Sequence, residues 1–255
     1  MNLRFFKYDR SQSTMILLFT DFGAEGPYLG QTEGVLRLGA PGIDVINLLS
    51  NAPPGEPRLS AYLLAALSKC LPIGTVFLCV VDPGVGGERR PVALEADGRW
   101  FVGPDNGLLN AVAVQAQKTH WRIIAWRPHR LSASFHGRDL FAPVAARIAQ
   151  RDFSWAASAW EGPDLRNCPA DIAAIVYFDH YGNAITGWRY APELDGKTLA
   201  VNGKRIPQAQ TFCDMPEGSA FWYRNSMDLI EIAVNRGRTD AALALKLGMG
   251  FCFEE

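Results

Sequence analysis

The chain has 255 residues, 48% of them hydrophobic and 20% charged, enough for one large globular unit or two smaller ones with cores of their own. A formal net charge of -1 offers no basic stripe for nucleic acid. The opening MNLRFFKYDRSQST is mixed and polar, the apolar run after it (Met15 to Phe19) is too short for a signal sequence, and no stretch approaches the roughly 20 apolar residues that span a bilayer. A soluble, cytoplasmic protein without membrane or nucleic-acid partners is expected.

Five cysteines (Cys70, Cys79, Cys168, Cys213, Cys252) are odd in number and never in CxxC spacing, and the four histidines never fall in HxxxH or HExxH form. Neither a structural disulfide nor a metal site is expected.

Met15 to Thr20 (MILLFT) is a short apolar run ending at an Asp-Phe-Gly turn, which suits a strand buried on both faces. A helix is predicted from Tyr28 to Leu38, a second strand from Asp44 to Leu49, and an Ala- and Leu-rich helix from about Arg58 to Cys70, closed by Leu71-Pro72-Ile73-Gly74. Thr75 to Val81 (TVFLCVV) is a third buried strand, again opening into a Gly/Pro loop. Strands alternating with helices predict a mostly parallel sheet in an α/β layered unit over 15–153. Ligands of such sheets bind beyond the carboxyl ends of the strands, the edge where Asp21 and Asp82 fall.

After about Arg151 the character changes. Residues 154–167, rich in Trp, Ala and Pro, read as a linker. Beyond them short apolar runs, Ile172 to Phe178 and Thr198 to Val201, are separated by Asp195-Gly196 and Asn202-Gly203, the latter a hairpin signal. A smaller, mostly β unit over 168–255 is predicted.

Chemistry concentrates in four segments. Asp82-Pro83-Gly84-Val85-Gly86-Gly87-Glu88-Arg89-Arg90 follows a buried strand and can fold into a tight loop that closes Arg89 on Asp82, or serve as a plain turn with solvated arginines. Ser134-Phe135-His136-Gly137-Arg138-Asp139 sets His136 just before a predicted helix; its titration near neutral pH makes it a candidate, although a lone histidine is more often structural. Gly103-Pro104-Asp105-Asn106-Gly107 reads equally well as a turn, and Asp179-His180-Tyr181-Gly182-Asn183 combines groups suited to a polar heterocycle with good turn chemistry. These residues alone imply a polar, glycine-rich site and name no substrate.

With TDFG (20–23), VVDPGVGGERR (80–90), GPDNGLL (103–109), SFHGRDLFAP (134–143), DHYGN (179–183) and NSMDLIEIAVNRG (225–237) in order, the chain resembles the S-adenosyl-L-methionine hydroxide adenosyltransferases, relatives of the fluorinase and chlorinase enzymes. The resemblance implies a larger α/β domain joined to a smaller β domain, with the active site between subunits of a homotrimer. It implies hydrolysis of S-adenosyl-L-methionine to adenosine and methionine with no metal or organic cofactor. Asp82, Arg89 and His136 match the family's water-activating trio, with His136 as base and Asp82 orienting the water. Asp21 matches the ribose-gripping carboxylate, Asp179 and Asn183 the methionine-amine and adenine contacts, Tyr181 a residue packing on adenine, and Ser226 a serine near the methionine carboxylate.

The halogenases carry tyrosine at the position matching His136, and the fluorinase has tyrosine and threonine where Asp82 and Val85 stand here. An acid and an imidazole favour water over halide. The sequence departs from the family at Gly26, where an Asp is usual and Glu25 is the neighbouring acid; at Ser50-Asn51, usually Thr-His; at Thr186-Gly187, usually Thr-Asn; and at Arg238-Thr239-Asp240, where small residues usually line the adenine. A chloride adenosyltransferase and a non-catalytic S-adenosylmethionine or adenosine binder stay open as alternatives.

Overall fold

The computed structural model describes residues 14–254; the polar N-terminal segment, residues 1–13, and residue 255 lie outside them. The first unit contains β1 (Met15–Thr20), α1 (Tyr28–Gly39), β2 (Asp44–Leu49), α2 (Pro57–Lys69), β3 (Val76–Val80), β4 (Pro91–Ala96), β5 (Arg99–Pro104), α3 (Asn110–Gln115), β6 (Thr119–Ile124), α4 (Ala142–Ala149) and β7 (Ala156–Trp160). Its strands make one seven-stranded sheet of order β2-β1-β3-β5-β4-β6-β7.

The apolar run of β1 is explained by its place between β2 and β3, with helices on both faces. Leu17 and Phe19 pack with α2 and α3, whereas Ile16 and Leu18 pack with Leu36 of α1 and with α4. Parallel pairing runs from β2 through β1 and β3 to β5. Beyond β5 the pairings are antiparallel, because Asp97-Gly98 closes β4 and β5 into a hairpin. Both residues hold the positive φ (47° and 76°) that a two-residue type I′ turn requires. Part of the stretch expected as a linker, 154–167, is strand β7. Its Trp160 pairs with Trp121 of β6, the rings meeting edge-on at 5.8 Å, and Trp155 just before it is fully buried. Aromatic packing fixes this segment without any hydrophobic periodicity.

The second unit contains β8 (Ile175–Phe178), β9 (Ala184–Arg189), β10 (Thr198–Val201), β11 (Lys204–Ile206), β12 (Ala220–Arg224), β13 (Leu229–Val234), α5 (Thr239–Ala242) and β14 (Phe251–Glu254). A four-stranded antiparallel sheet (β12-β13-β9-β8) and a three-stranded one (β11-β10-β14) enclose Ile175, Leu199, Trp222, Ile230, Ile232 and Phe251. The predicted hairpin turn at Asn202-Gly203 joins β10 to β11.

Helix α2 joins the two units. It starts with Pro57 at its first position and is buried nearly all round from Ser60 to Ala66, because Val176, Ile185 and Leu229 of the second unit pack on the side turned away from the sheet. Full burial of Leu63 and Leu64 contributes about 1.5–3 kcal/mol each. The Tyr62 hydroxyl donates to the Pro169 carbonyl (3.0 Å) and the Gln115 amide to that of Ala170 (2.7 Å), so the docking is polar as well as apolar.

Candidate active site

Adjacent parallel strands bring Asp21 and the Asp82 loop to one edge. The Asp21 N–H donates to the Val80 carbonyl (3.3 Å), extending the β1–β3 ladder by one residue. The Asp21 carboxylate accepts from the Gly55 N–H at 3.0 Å. Burial raises its pKa, the Gly55 N–H opposes that rise, and the charge of Asp82 adds to it.

Beyond β3 the chain doubles back through two turns, Val85 N–H to Asp82 C=O (3.2 Å) and Gly87 N–H to Gly84 C=O (3.0 Å). This returns Arg89 to Asp82 as a fork. Nε lies 3.0 Å from both carboxylate oxygens, and Nη2 lies 2.6 Å from Oδ2. The same Nη2 reaches Nδ1 of His136 at 2.9 Å. The Asp82 and Arg89 side chains are 3% and 10% exposed, so the pair sits in a low-dielectric setting, where removing one partner costs about 3–5 kcal/mol.

The shared guanidinium nitrogen fixes the tautomer of His136. Arginine has only donors to offer, so Nδ1 is the acceptor and the neutral ring carries its proton on Nε2. Burial lowers the His136 pKa, the Arg89 charge lowers it further, and Asp82 only partly offsets both. The imidazole is therefore neutral at neutral pH.

Neighbouring loops hold this group in place. Gly86 has φ +81°, and a Cβ there would stand 2.7 Å from the Ala133 carbonyl oxygen, so only glycine lets the two loops meet. Gly137 opens a π-helical turn (Gly137–Phe141) against Phe22, where a Cβ would come within 2.9 Å of the ring. The Phe141 ring lies 5.7 Å from the Arg89 guanidinium carbon. Asn106 has a role that its turn-like sequence conceals: its amide donates to the Val81 carbonyl at 2.8 Å, bracing the residue before Asp82.

The other candidates lie on two turns of the second unit. Between β8 and β9, Asp179 accepts from the Asn183 backbone (2.8 Å) and from its side-chain amide (3.0 Å), while Tyr181 projects 74% exposed. Arg238 and Thr239 grip this turn. The Arg238 guanidinium forks onto Asp240 and donates to the His180 carbonyl, and Thr239 Oγ1 donates to that of Gly182 at 2.6 Å. Ser226 is exposed on the turn between β12 and β13, next to buried Asn225. Gly26 has φ +106°, a conformation that strains any other residue, and Glu25 beside it is exposed. Thus Asp82, Arg89 and His136 form one bonded group with Asp21 beside it, and Asp179 and Asn183 form another. Among the described residues, no hydrogen bond or ion pair joins the two groups. Among those residues no cluster of three or more His, Cys, Asp or Glu is arranged to hold a metal ion, and none of their helices is long and apolar enough to cross a membrane.

Residues 16–157 match the family model described as SAM hydroxide adenosyltransferase N-terminal domain, and residues 173–252 match its C-terminal domain. Among curated proteins, the chain is 38% identical to an (R)-S-adenosyl-L-methionine hydrolase of Thermus thermophilus, over 92% of this chain and 97% of that one. A Salinispora arenicola protein of the same name is 37% identical, over 90% and 93%. Among solved structures, an uncharacterized conserved protein from Thermotoga maritima superposes with a TM-score of 0.84 at 28% identity, covering 93% of this chain and 100% of that one. A conserved hypothetical protein from Thermus thermophilus gives 0.77 at 35% identity, covering 94% and 100%. The two matched domains together span most of the chain, and it belongs to the SAM hydroxide adenosyltransferase family.

Proposed function

We propose that this protein hydrolyses S-adenosyl-L-methionine to adenosine and L-methionine, with water attacking C5′ of the ribose beside Asp82 and His136. The observation that carries the reading is the single Arg89 nitrogen bonded to both Asp82 and His136, at the sheet edge where α/β proteins take their ligands. Asp21, beside it, accepts hydrogen bonds from the ribose hydroxyls. Asp179 and Asn183 take the methionine amine and the adenine, Tyr181 packs on the base, and Ser226 meets the methionine carboxylate.

The bonded geometry supports Asp82, rather than His136, as the base. The Nδ1 lone pair of His136 is held by Arg89 and Nε2 already bears a proton, so His136 cannot take one without breaking that contact. Asp82 Oδ1 receives only one of the three Arg89 contacts and keeps a lone pair for the water. As the C5′–O bond forms and the C5′–S bond breaks, the attacking oxygen becomes a strongly acidic oxonium. A carboxylate is then base enough, and the proton passes to Asp82 and on to solvent. His136 orients the water and Arg89 holds both partners. Methionine leaves as a neutral thioether, so no general acid is needed, and alignment of water with the sulfonium supplies several kcal/mol.

The two separate groups support a site completed between the larger domain of one subunit and the smaller domain of another, in a cytoplasmic homotrimer. The test is to incubate purified protein with S-adenosylmethionine, with and without chloride, and separate the products. Equimolar adenosine and methionine, independent of chloride, is the expected result. 5′-Chloro-5′-deoxyadenosine, or binding without turnover, would overturn the reading.

A further inference from the structure

One acidic side chain has no part in the chemistry above, yet it lies inside the protein. Glu231 is the third residue of β13, a strand buried at every position, and is itself 4% exposed. A carboxylate there costs free energy unless its oxygens are satisfied. Both are. The Tyr223 hydroxyl donates to Oε1 from the neighbouring position on β12, and the Asn225 amide donates to Oε2 at 2.8 Å.

Those partners lead to the two turns of the second unit. The Asn225 side-chain oxygen accepts from the N–H groups of Met227 (2.9 Å) and Leu229 (3.0 Å), which folds the turn that carries Ser226. On the other flank β13 pairs with β9, Glu231 standing opposite Ile185, two residues beyond the Asn183 that bonds to Asp179. Burial raises the Glu231 pKa, while Tyr223, Asn225 and Asn183 all favour its charged form. One side chain thus holds the support of one turn directly and, across the β13–β9 pairing, sits beside the strand that leaves the other; the two turns stand more than forty residues apart in sequence.

We propose that Glu231 is a positioning residue for substrate recognition, a buried crosspiece that ties the Asp179–Asn183 turn and the Asn225–Leu229 turn into one preformed surface. The proposal rests on the reading of Asp179, Asn183 and Ser226 as substrate contacts. Glutamine can replace the carboxylate, since its carbonyl accepts from Asn225 while its NH2 donates to the Tyr223 oxygen. Leucine cannot, and it leaves the Asn225 amide and the Tyr223 hydroxyl without their acceptor.

The test compares full-length wild type, Glu231→Gln, Glu231→Leu and Tyr223→Phe by steady-state kinetics with S-adenosylmethionine, and by calorimetry with adenosine. Glu231→Leu is expected to raise KM and the adenosine Kd about tenfold, the loss that follows from unsatisfied buried partners. Its kcat should stay within about twofold, because the water-activating group lies in the other domain. Glu231→Gln should stay within about twofold in all three quantities, and Tyr223→Phe should raise KM by about threefold. Should Glu231→Leu fail to fold, the other two variants carry the test.

Unchanged KM and Kd in Glu231→Leu, or in Tyr223→Phe where it must stand in, overturns the proposal. So does a kcat loss without a KM change, or a Gln variant as damaged as the Leu one. If wild type binds adenosine but does not turn over S-adenosylmethionine, the hydrolase reading falls and the Kd series still decides the role of Glu231. A wild type that binds neither ligand overturns both.

Discussion

The two polar groups of this protein hold hydrogen-bonding side chains still in opposite ways. At the edge of the large sheet the candidate groups are themselves buried: the Asp82, Arg89 and His136 side chains hold one another. In the second domain the candidate contacts Tyr181 and Ser226 are exposed, and much of the rigidity lies one layer below, in Asn225, Glu231 and Thr239, while buried Asn183 is both contact and support. The difference fits the roles proposed for the two groups. Activating water requires charges that are aligned and shielded before the ligand arrives, whereas recognition requires surfaces that a ligand or neighbouring subunit can cover.

Breaking the first group should have the largest effect. Asp82→Asn removes the proton acceptor and is expected to lower kcat about a thousandfold, with adenosine binding by calorimetry within a few-fold of wild type. Arg89→Lys follows, because an ammonium cannot repeat the fork on Asp82 and reach Nδ1 together. A loss in kcat of about a hundredfold is expected, with a melting scan to confirm folding. Asn183→Ala, on the recognition side, should raise KM about tenfold and change kcat little, the reverse split. Co-expression of Asp82→Asn with an Asp179→Ala, Asn183→Ala double variant sharpens the comparison. If sites form between subunits, each mixed trimer holds one intact site, roughly a quarter of all sites at equal expression, and turnover returns; if each chain builds its own site, none does.

The smallest effect concerns pH. The pKa of His136 is lowered from 6.5, chiefly by burial and then by Arg89. Protonation at Nδ1 expels Arg89, so kcat should hold flat down through that value and fall only below it. Stability follows the same sign. The neutral ring's contribution is complete above the unfolded value and is lost as pH falls through the folded one. A pH–rate profile and melting scans between pH 4 and 8 check both, at about the buffer range where histidines titrate. An acid limb above 6.5 would contradict the assignment.

How much of this was legible in the sequence depends on whether the signal was local. Strands β1, β2 and β3 were readable as short apolar runs, and Asn202-Gly203 gave its hairpin. The β4–β5 hairpin carries an equally local sign, Asp97-Gly98, which the strand–helix alternation of the preceding segments overshadowed. Strand β7 had no such sign, since Trp155 and Trp160 are held by other elements. Asp82 and Arg89 could be paired from their shared loop. The bond from Arg89 to His136 spans 47 residues and, with it, the tautomer was not readable. The roles of Asp179, Tyr181, Asn183 and Ser226 came only from the family resemblance, because turn chemistry and ligand chemistry use the same residues. Glu231 did leave a mark, a lone charge inside the apolar run LIEIAV, where a solvated face would have alternated.

The central claim, that water beside Asp82 displaces methionine from C5′, is tested most directly by turnover in ¹⁸O-labelled water. The account predicts adenosine carrying one labelled oxygen, at its 5′ hydroxyl, and unlabelled methionine. Adenosine without label, or label in methionine, would contradict it.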